Sequence, residues 1–384
     1  MMRVRTWIVA CAAIIASAAC LAACGSNDSN SSAASPTASQ GGSGDAVVVA
    51  AKRAVAASQA EAKTIKGPKA PVTPPEGKTL GVVACGVVAP PCLRMANGVK
   101  KAAAALGWKV VVADGKLTVQ GMADAMDLLI SQKVSGIVNV AVADSLIPNQ
   151  MTKAKNAGIP VVCMVCGNKL VAPVKDPSTV DVDPDYALSG RLAADYAIAQ
   201  TNGKAKVVLV RNDAYASSKQ RIDSAAAQLK KCPGCKIVTT EQLSSAGDLV
   251  RAGRTQMQGL LSRYPKADDF NYLIPAADTT VQGHIQVLAS QSRAIKISSF
   301  DCDAQNVGLI RTGKVETACV DGQYDWVPWA ATDQMARILA KVAPAADEQT
   351  PVVLVDKSNV PPAGQDTVSS PDFATYYKKL WGKG

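Results

Sequence analysis

The sequence predicts an α/β protein made of two doubly wound lobes, each with a parallel sheet. Short apolar runs alternate with longer stretches of helical period from residue 79 to 300, the pattern of strands joined by crossover helices. The alternation runs through twice, with a break near Asp183. Neither series opens with Gly-x-Gly-x-x-Gly or a P-loop, so the phosphate cradles of nucleotide-binding relatives of such lobes are missing. A chain of 384 residues is long enough for two ordinary domains.

The first series reads strand 79–84, helix 93–106, strand 109–113, helix 119–131, strand 136–142, helix 146–157 and strand 159–165. Its strands are near-continuous runs of Val, Ile and Ala, as expected when both faces of a sheet are covered. The second series reads helix 187–200, strand 206–210, helix 216–229, strand 236–243, helix 248–264, strand 270–274, helix 279–291 and strand 295–300. Right-handed crossovers make each series a compact lobe.

Ahead of the first lobe, Arg3 and Arg5 precede an uncharged, Ala-rich run over 7–23. The run is too short for a comfortable membrane span and reads as a secretory signal. It ends in Leu21, Ala22, Ala23, Cys24 and Gly25. That resembles the lipobox of bacterial lipoproteins, with cleavage over 1–23 and Cys24 as lipid anchor to the cell membrane. The alternative is an ordinary signal peptide with a chance cysteine. Residues 24–44 are rich in Ser, Asn and Gly and suit a flexible tether. The segment 45–76 reads as a helix to about residue 66, capped by Asp45, followed by a Pro-rich extension.

The net charge is +10, and loss of 1–23 lowers it to +8. The charges are scattered, with no block of five and no basic-aromatic interleaving, which argues against a nucleic-acid partner. A single histidine, His284, excludes His-rich metal sites and sits in a predicted helix without a nucleophile motif nearby. No catalytic residues, cofactor or metal are expected.

Several stretches then carry a family likeness. They are Asn97 to Ala102 with Leu106, Gly107 and Trp108; Ala157 to Val162; Asp183 to Gly190 with Ala194; Ser299, Phe300 and Asp301; and Ile310 to Val315. In this order and spacing, over about 77–357, the chain resembles type I periplasmic binding proteins of the ribose-binding kind. These are the solute-capturing subunits of bacterial ABC importers. The resemblance implies the type I periplasmic binding fold with a three-strand hinge. It places 77–182 and 325–357 in lobe 1, and 184–321 and 359–384 in lobe 2. It further implies an extracytoplasmic monomer, not an enzyme, that traps a small molecule between its lobes and passes it to ABC permease subunits. A ligand-sensing lipoprotein of the same fold, signalling to a membrane receptor, is the alternative.

Transferred position by position, the resemblance keeps the acid of the second lobe as Asp301 and offers Lys219 or Arg221 for an arginine on the helix 216–229. The arginine after the fourth strand falls on Cys166, an asparagine on Ala277 with Asp278 next to it, and a glutamine near Asp321. Aromatic residues after the first strand are replaced by Val88, Pro90 and Pro91. Asp144 is a further candidate acid, and Tyr215, Tyr324 and Trp326 are candidates for stacking. Asp278 and Asp301 equally suit helix caps, Lys219 and Arg221 a solvent face, and Trp326 hinge packing. A sugar-like polyol leads, with an amine or aromatic solute as the alternative.

Eight cysteines follow Cys24. Spacing favours Cys85 with Cys92, Cys232 with Cys235 across a Pro-Gly turn, and Cys302 with Cys319. Cys163 and Cys166 are the difficult pair. Strand positions three apart lie about 10 Å apart, beyond a disulfide's reach of about 7 Å, unless the strand ends in a sharp turn. Zinc and redox roles fit less well, because the two Cys-x-x-Cys pairs belong to different lobes and neither opens a helix beside a strand.

Overall fold

The computed structural model describes residues 42–61, 65, 67–167, 179–243, 248–346, 348, 350–365 and 370–384. The expected signal segment with Cys24, and most of the tether, lie outside the described residues. Helix α1 (Gly42–Glu61) starts earlier than expected, so Asp45 stands in its first turn rather than at its cap. There its carboxylate faces the positive end of the helix dipole.

Strands β1 (Thr79–Ala84), β2 (Lys109–Asp114), β3 (Gly136–Val140), β4 (Val161–Met164) and β5 (Thr179–Val182) form the first sheet. Its order is β2-β1-β3-β4-β5 and every pairing is parallel. Helices α2 (Pro90–Ala105), α3 (Val119–Ser131) and α4 (Pro148–Asn156) make the crossovers. Met95 and Val99 of α2 and Met126 and Leu129 of α3 share one core with Leu80, Val82 and Ile137 of the sheet. The expected helix 146–157 starts late because Asp144–Leu146 forms a separate 3-10 turn and Pro148 opens α4. Strand β5 is absent from the sequence reading. Its four residues alternate Asp181 with valines, too short a run to stand out.

The second lobe runs α5 (Tyr186–Gln200), β6 (Lys206–Arg211), α6 (Ala216–Leu229), β7 (Lys236–Gln242), α7 (Leu249–Arg263), β8 (Tyr272–Ile274), α8 (Asp278–Leu288), β9 (Lys296–Phe300), α9 (Ala304–Thr312) and β10 (Glu316–Asp321). After α10 (Val327–Leu339), β11 (Val353–Asp356) completes a six-stranded sheet in the order β11-β10-β9-β8-β6-β7. Only β11 runs antiparallel, pairing Ala318 with Asp356 and Asp321 with Val353. Apolar cores fill both faces of this sheet, around Leu192, Ile222 and Tyr272 on one side and Met257, Leu273 and Val281 on the other.

The expected lobe boundaries need correction at the C-terminal end. Residues 325–357 do not all belong to lobe 1, because β11 hydrogen-bonds to β10 in the second sheet. Nor does all of 359–384 belong to lobe 2: Val360 and the carbonyls of Pro361, Pro362 and Gln365 stay with it, the carbonyls accepting from Arg311, but the end of the chain does not. Helix α11 (Phe373–Leu380) packs on the first-lobe core, where Trp329 of α10 stacks on Trp381 with ring centroids 5.7 Å apart. The aromatic stack outweighs chain proximity to β11. Helix α1, expected only as an N-terminal appendage, buries Val48, Ala51 and Val55 in the second-lobe core beside Leu354. The amide of Leu354 donates to Ser58 Oγ at 3.4 Å. In this way α1 covers the edge strand β11, which would otherwise offer open hydrogen-bonding groups.

One close approach inside lobe 2 fixes where the cleft side chains stand. A Cβ added at Gly190 of α5 would lie 1.9 Å from the carbonyl oxygen of Arg221 on α6. Only glycine allows the two helices to meet this closely. We therefore expect Gly190→Ala to lower stability by about 1–3 kcal/mol, the usual range for overpacking. Thermal unfolding of the variant beside the parent checks this, and an unchanged Tm would refute it.

Candidate ligand-binding cleft

A cleft of about 650 Å³, counting its open mouth, lies between the two lobes. It is lined by Cys85, just after β1, and Asn212, just after β6. In each sheet that is where the strand order reverses, the position at which doubly wound folds bind ligands.

Arg221 forms the floor on the lobe 2 side. It is 3% exposed. Its Nη1 donates to Asp301 Oδ1 at 2.9 Å and its Nη2 to the Tyr324 hydroxyl at 2.6 Å. The Tyr324 hydroxyl donates in turn to Asp301 Oδ1 at 2.9 Å. The guanidinium also lies over the rings of Phe300, at 4.8 Å, and Tyr186, at 5.2 Å, a cation–π arrangement. Burial works against the charge, but Tyr324 and Asp301 outweigh it and hold the pKa above the ordinary arginine value. Asp301 follows β9 with φ of +93°, and Cys302 follows at +51°. Two successive non-glycine residues in this region are strained. The Cys302–Cys319 bridge and a bond from Arg94 Nη1 to the Asp301 carbonyl at 3.2 Å hold them there.

The lobe 1 wall is different in kind. The Cys85–Cys92 bridge closes the loop after β1 and presents Ala89 and Pro91. Leu117, Ala141 and Val165, from the turns after β2, β3 and β4, complete it with Met95. All three turn residues have positive φ, at +55°, +53° and +61°. The last of these explains the Cys163–Cys166 bridge. Val165 turns the chain so sharply that the two Cα atoms are 5.9 Å apart, within disulfide reach. Cys85–Cys92, Cys232–Cys235 and Cys302–Cys319, the pairings that spacing favours, are formed as well.

The lobes touch on two sides of the cleft. The Gln220 side-chain amide of α6 donates to the Gly167 carbonyl of lobe 1. A Cβ at Gly167, whose φ is +76°, would meet Ala216 at 2.6 Å. On the other side, Arg94 of α2 reaches Asp321 at 3.4 Å and the Asp301 carbonyl at 3.2 Å in lobe 2, and is steadied by Asp325, beside the crossing, at 2.7 Å.

Of the expected ligand residues, Asp301, Arg221, Tyr215, Tyr324 and Pro91 line the cleft. The others do not. Lys219 is 55% exposed and pairs with Asp223 one turn along α6. Asp321 is fully buried, and its Oδ1 accepts from the amides of Gln323 and Tyr324, which fixes the lobe crossing. Trp326 packs on Phe373 and donates to the Tyr377 hydroxyl, within the hinge-side aromatic stack. Cys166 is buried in its bridge, and its neighbour Val165 takes the lining position. Asp144 lies half-buried in the 3-10 turn after β3, outside the lining, and burial raises its pKa. His284 is buried in α8 with Gln256 at 3.1 Å, its pKa pushed down to about 3 by burial.

Asp278 lies behind the floor, in a layer of buried acids. Its Oδ2 accepts from the Asp303 amide at 2.7 Å. Asn306 donates to both carboxylate oxygens of Glu316, at 3.1 and 2.9 Å. Burial, reinforced by the neighbouring acids, pushes Asp303 and Glu316 up to about 8 and Asp278 well above the ordinary carboxylate range. No grouping among the described residues is arranged to hold a metal ion.

Residues 92–343 match the family model for the periplasmic binding protein domain. That is well over half of the chain. The protein belongs to the periplasmic binding protein family. Members of this family are extracytoplasmic transport components, not enzymes. The ABC transporter periplasmic-binding protein YphF of Escherichia coli (strain K12) is 25% identical to this binding protein over 182 residues, 46% of this chain and 54% of the relative. The match thus spans about half of that relative's length. A sugar ABC transporter protein from Yersinia enterocolitica subsp. enterocolitica 8081 shares the fold with a TM-score of 0.69, 18% identity and coverage of 83% of this chain and 100% of that one. An ABC transporter solute-binding protein from Agrobacterium vitis with bound allitol gives 0.66, 21%, 74% and 97%. The 5-methylthioribose transporter solute-binding protein of Thermotoga lettingae TMO gives 0.66, 17%, 82% and 95%. Among the described residues no helix is long and apolar enough to cross a membrane.

The sequence reading missed Arg94, the three turn residues of the lobe 1 wall and Asn212. Arg94 had one local signal, its place in the first turns of a helix just after Cys92, facing the strand ends. The turn residues had none, since nothing in Leu, Ala or Val announces positive φ.

The buried acids give this binding protein a pH dependence. An unfolded carboxyl releases its proton near pH 4, whereas native Asp303 and Glu316 hold theirs to about 8. The native state therefore binds more protons across that window, and stability is lost as pH rises through it. We expect Tm to fall from pH 6 to pH 9 and the fall to be shallower in Asp303→Asn. Calorimetry across that range checks it, and a parent Tm that is flat or rises would refute it.

Proposed function

We propose that this protein is a lipid-anchored, extracytoplasmic solute-binding protein that captures a small organic solute between its lobes and delivers it to an ABC importer. The observation that carries this reading is the interlobe cleft with Arg221, Asp301 and Tyr324 on its floor. A pre-set polar floor, its charges already paired, can offer hydrogen bonds to a ligand with little reorganisation. The contacts of Gln220 with Gly167 and of Arg94 with Asp321 and the Asp301 carbonyl join the lobes around the cleft. They suit a hinge that closes on the solute and presents the closed form to a permease. The domain family supports transport, and bound allitol in the Agrobacterium vitis relative supports a polyol among the possible cargoes. Arg221 and Asp301 are the two polar ligand positions of the resemblance that line the cleft here.

Two outcomes test this reading. In a thermal-shift screen over pentoses, hexoses, polyols, amines and small neutral aromatics, at least one compound should raise Tm, because a ligand that binds only the native state stabilises it. Asp301→Ala should abolish that shift while the protein stays folded by circular dichroism. Absence of any shift across the panel would count against solute capture. Separately, radioactive palmitate should label the protein in a bacterial host and fail to label Cys24→Ala. Labelling that persists in the variant would refute the anchor.

A further inference from the structure

The two walls of the cleft differ in chemistry, and the difference selects a ligand class. Among the described residues, every lining side chain from lobe 1 is apolar: the Cys85–Cys92 bridge, Ala89, Pro91, Met95, Leu117, Ala141 and Val165. The lobe 2 side is mixed: Leu243, Leu249, Ala276 and Ala277 are apolar there, but the hydrogen-bonding side chains, chiefly Asn212, Ser217, Thr279, Arg221, Asp301 and Tyr324, all come from lobe 2 and the crossing beside it. Among the described residues, Arg221 and Asp301 are the only charged members of the lining, and they pair with each other at 2.9 Å.

We infer that the cargo is an uncharged amphipathic molecule, a compact ring or branched hydrocarbon with its hydroxyl, carbonyl or amide groups confined to one end, and not a sugar. This rests on the solute-capture reading above and narrows it.

Three physical arguments converge on this class. A sugar carries hydroxyls around its whole ring. Those facing lobe 1 would lose water and find no side-chain partner there, which makes binding unfavourable. A charged solute would have to enter a low-dielectric cleft whose two charges are already committed to each other. An apolar body against Met95, Leu117 and the disulfide gains burial, and soft sulfur atoms favour contact with ring edges.

The backbone supplies the fourth argument. Leu117, Ala141 and Val165 each sit at positive φ, where glycine would be less strained. A β-branched residue is the most disfavoured of all in that region. At these three turns the residues nevertheless carry apolar side chains, and those side chains form the wall that a ligand would touch.

Isothermal titration of the full mature protein tests the inference with two probe sets, 2-phenylethanol, cyclohexanol and acetophenone against D-ribose, D-allose and allitol. The tightest amphipathic probe should bind at least tenfold more tightly than any sugar or polyol. Leu117→Asn should weaken that probe at least tenfold. Asparagine tolerates positive φ, so the turn survives while the wall gains polarity, and an unchanged circular dichroism spectrum and Tm would confirm that it does. Preference for a sugar or polyol would overturn this inference and leave solute capture standing. An amphipathic probe indifferent to Leu117→Asn would overturn it too. Failure of both probe sets to bind would overturn solute capture itself, and this inference with it.

Discussion

A guanidinium almost fully removed from water must have its charge answered on the spot, and the centre of this protein is organised around that requirement. Arg221 finds Asp301 at the end of β9 and Tyr324 in the crossing to α10. Each partner needs its own support. Asp301 is held in a left-handed turn between the Cys302–Cys319 bridge and the reach of Arg94. Tyr324 follows a crossing pinned by Asp321. Arg221 itself is positioned by an α6 that lies against α5 closely enough to demand Gly190. One ion pair therefore ties a helix, a strand end and an interlobe segment to a single point on the cleft floor. Removing one member would leave the others buried and unpaired, the costly case for interior charges.

Behind that floor, lobe 2 carries Asp278, Asp303 and Glu316 in a volume with little water. Burial holds their pKa values up, and Glu316 accepts from Ser299 and Asn306 while Asp278 accepts from the Asp303 amide. The polar face of the cleft thus rests on a second polar layer, while the lobe 1 wall rests on a Met, Leu and Val core.

Much of this was legible in the sequence where local rules dominate. The valine-rich runs fix β1, β3 and β4 because strands covered on both faces have little compositional freedom. The family resemblance pointed to Asp301 after β9, and cysteine spacing favoured three of the bridges and left Cys163–Cys166 to depend on a sharp turn, which Val165 makes. What escaped depends on tertiary contacts. Residues 353–356 look like any short apolar run, and only pairing with β10 assigns them to the second sheet. Helix α11 joins lobe 1 through rings that are far apart in sequence, Trp329 and Trp381. Lys219 and Arg221 are two positions apart on one helix and so face different ways; the sequence offered both, and only packing separates the solvated one from the buried one. Arg94 earned no attention because its partners are carbonyls and acids of the other lobe.

The four disulfides have a mechanical consequence. Cys85–Cys92 and Cys163–Cys166 lie within lobe 1, and Cys232–Cys235 and Cys302–Cys319 within lobe 2. Among the described residues none bridges the lobes, so oxidation stiffens each half as a separate body and puts no covalent restraint on the angle between them. Besides the chain crossings, noncovalent contacts resist separation, among them Arg94 with Asp321 and the Asp301 carbonyl and Gln220 with Gly167. Such contacts can break and re-form on the timescale of a domain hinge. An oxidising environment therefore hardens the two jaws of this molecule while leaving its bite free.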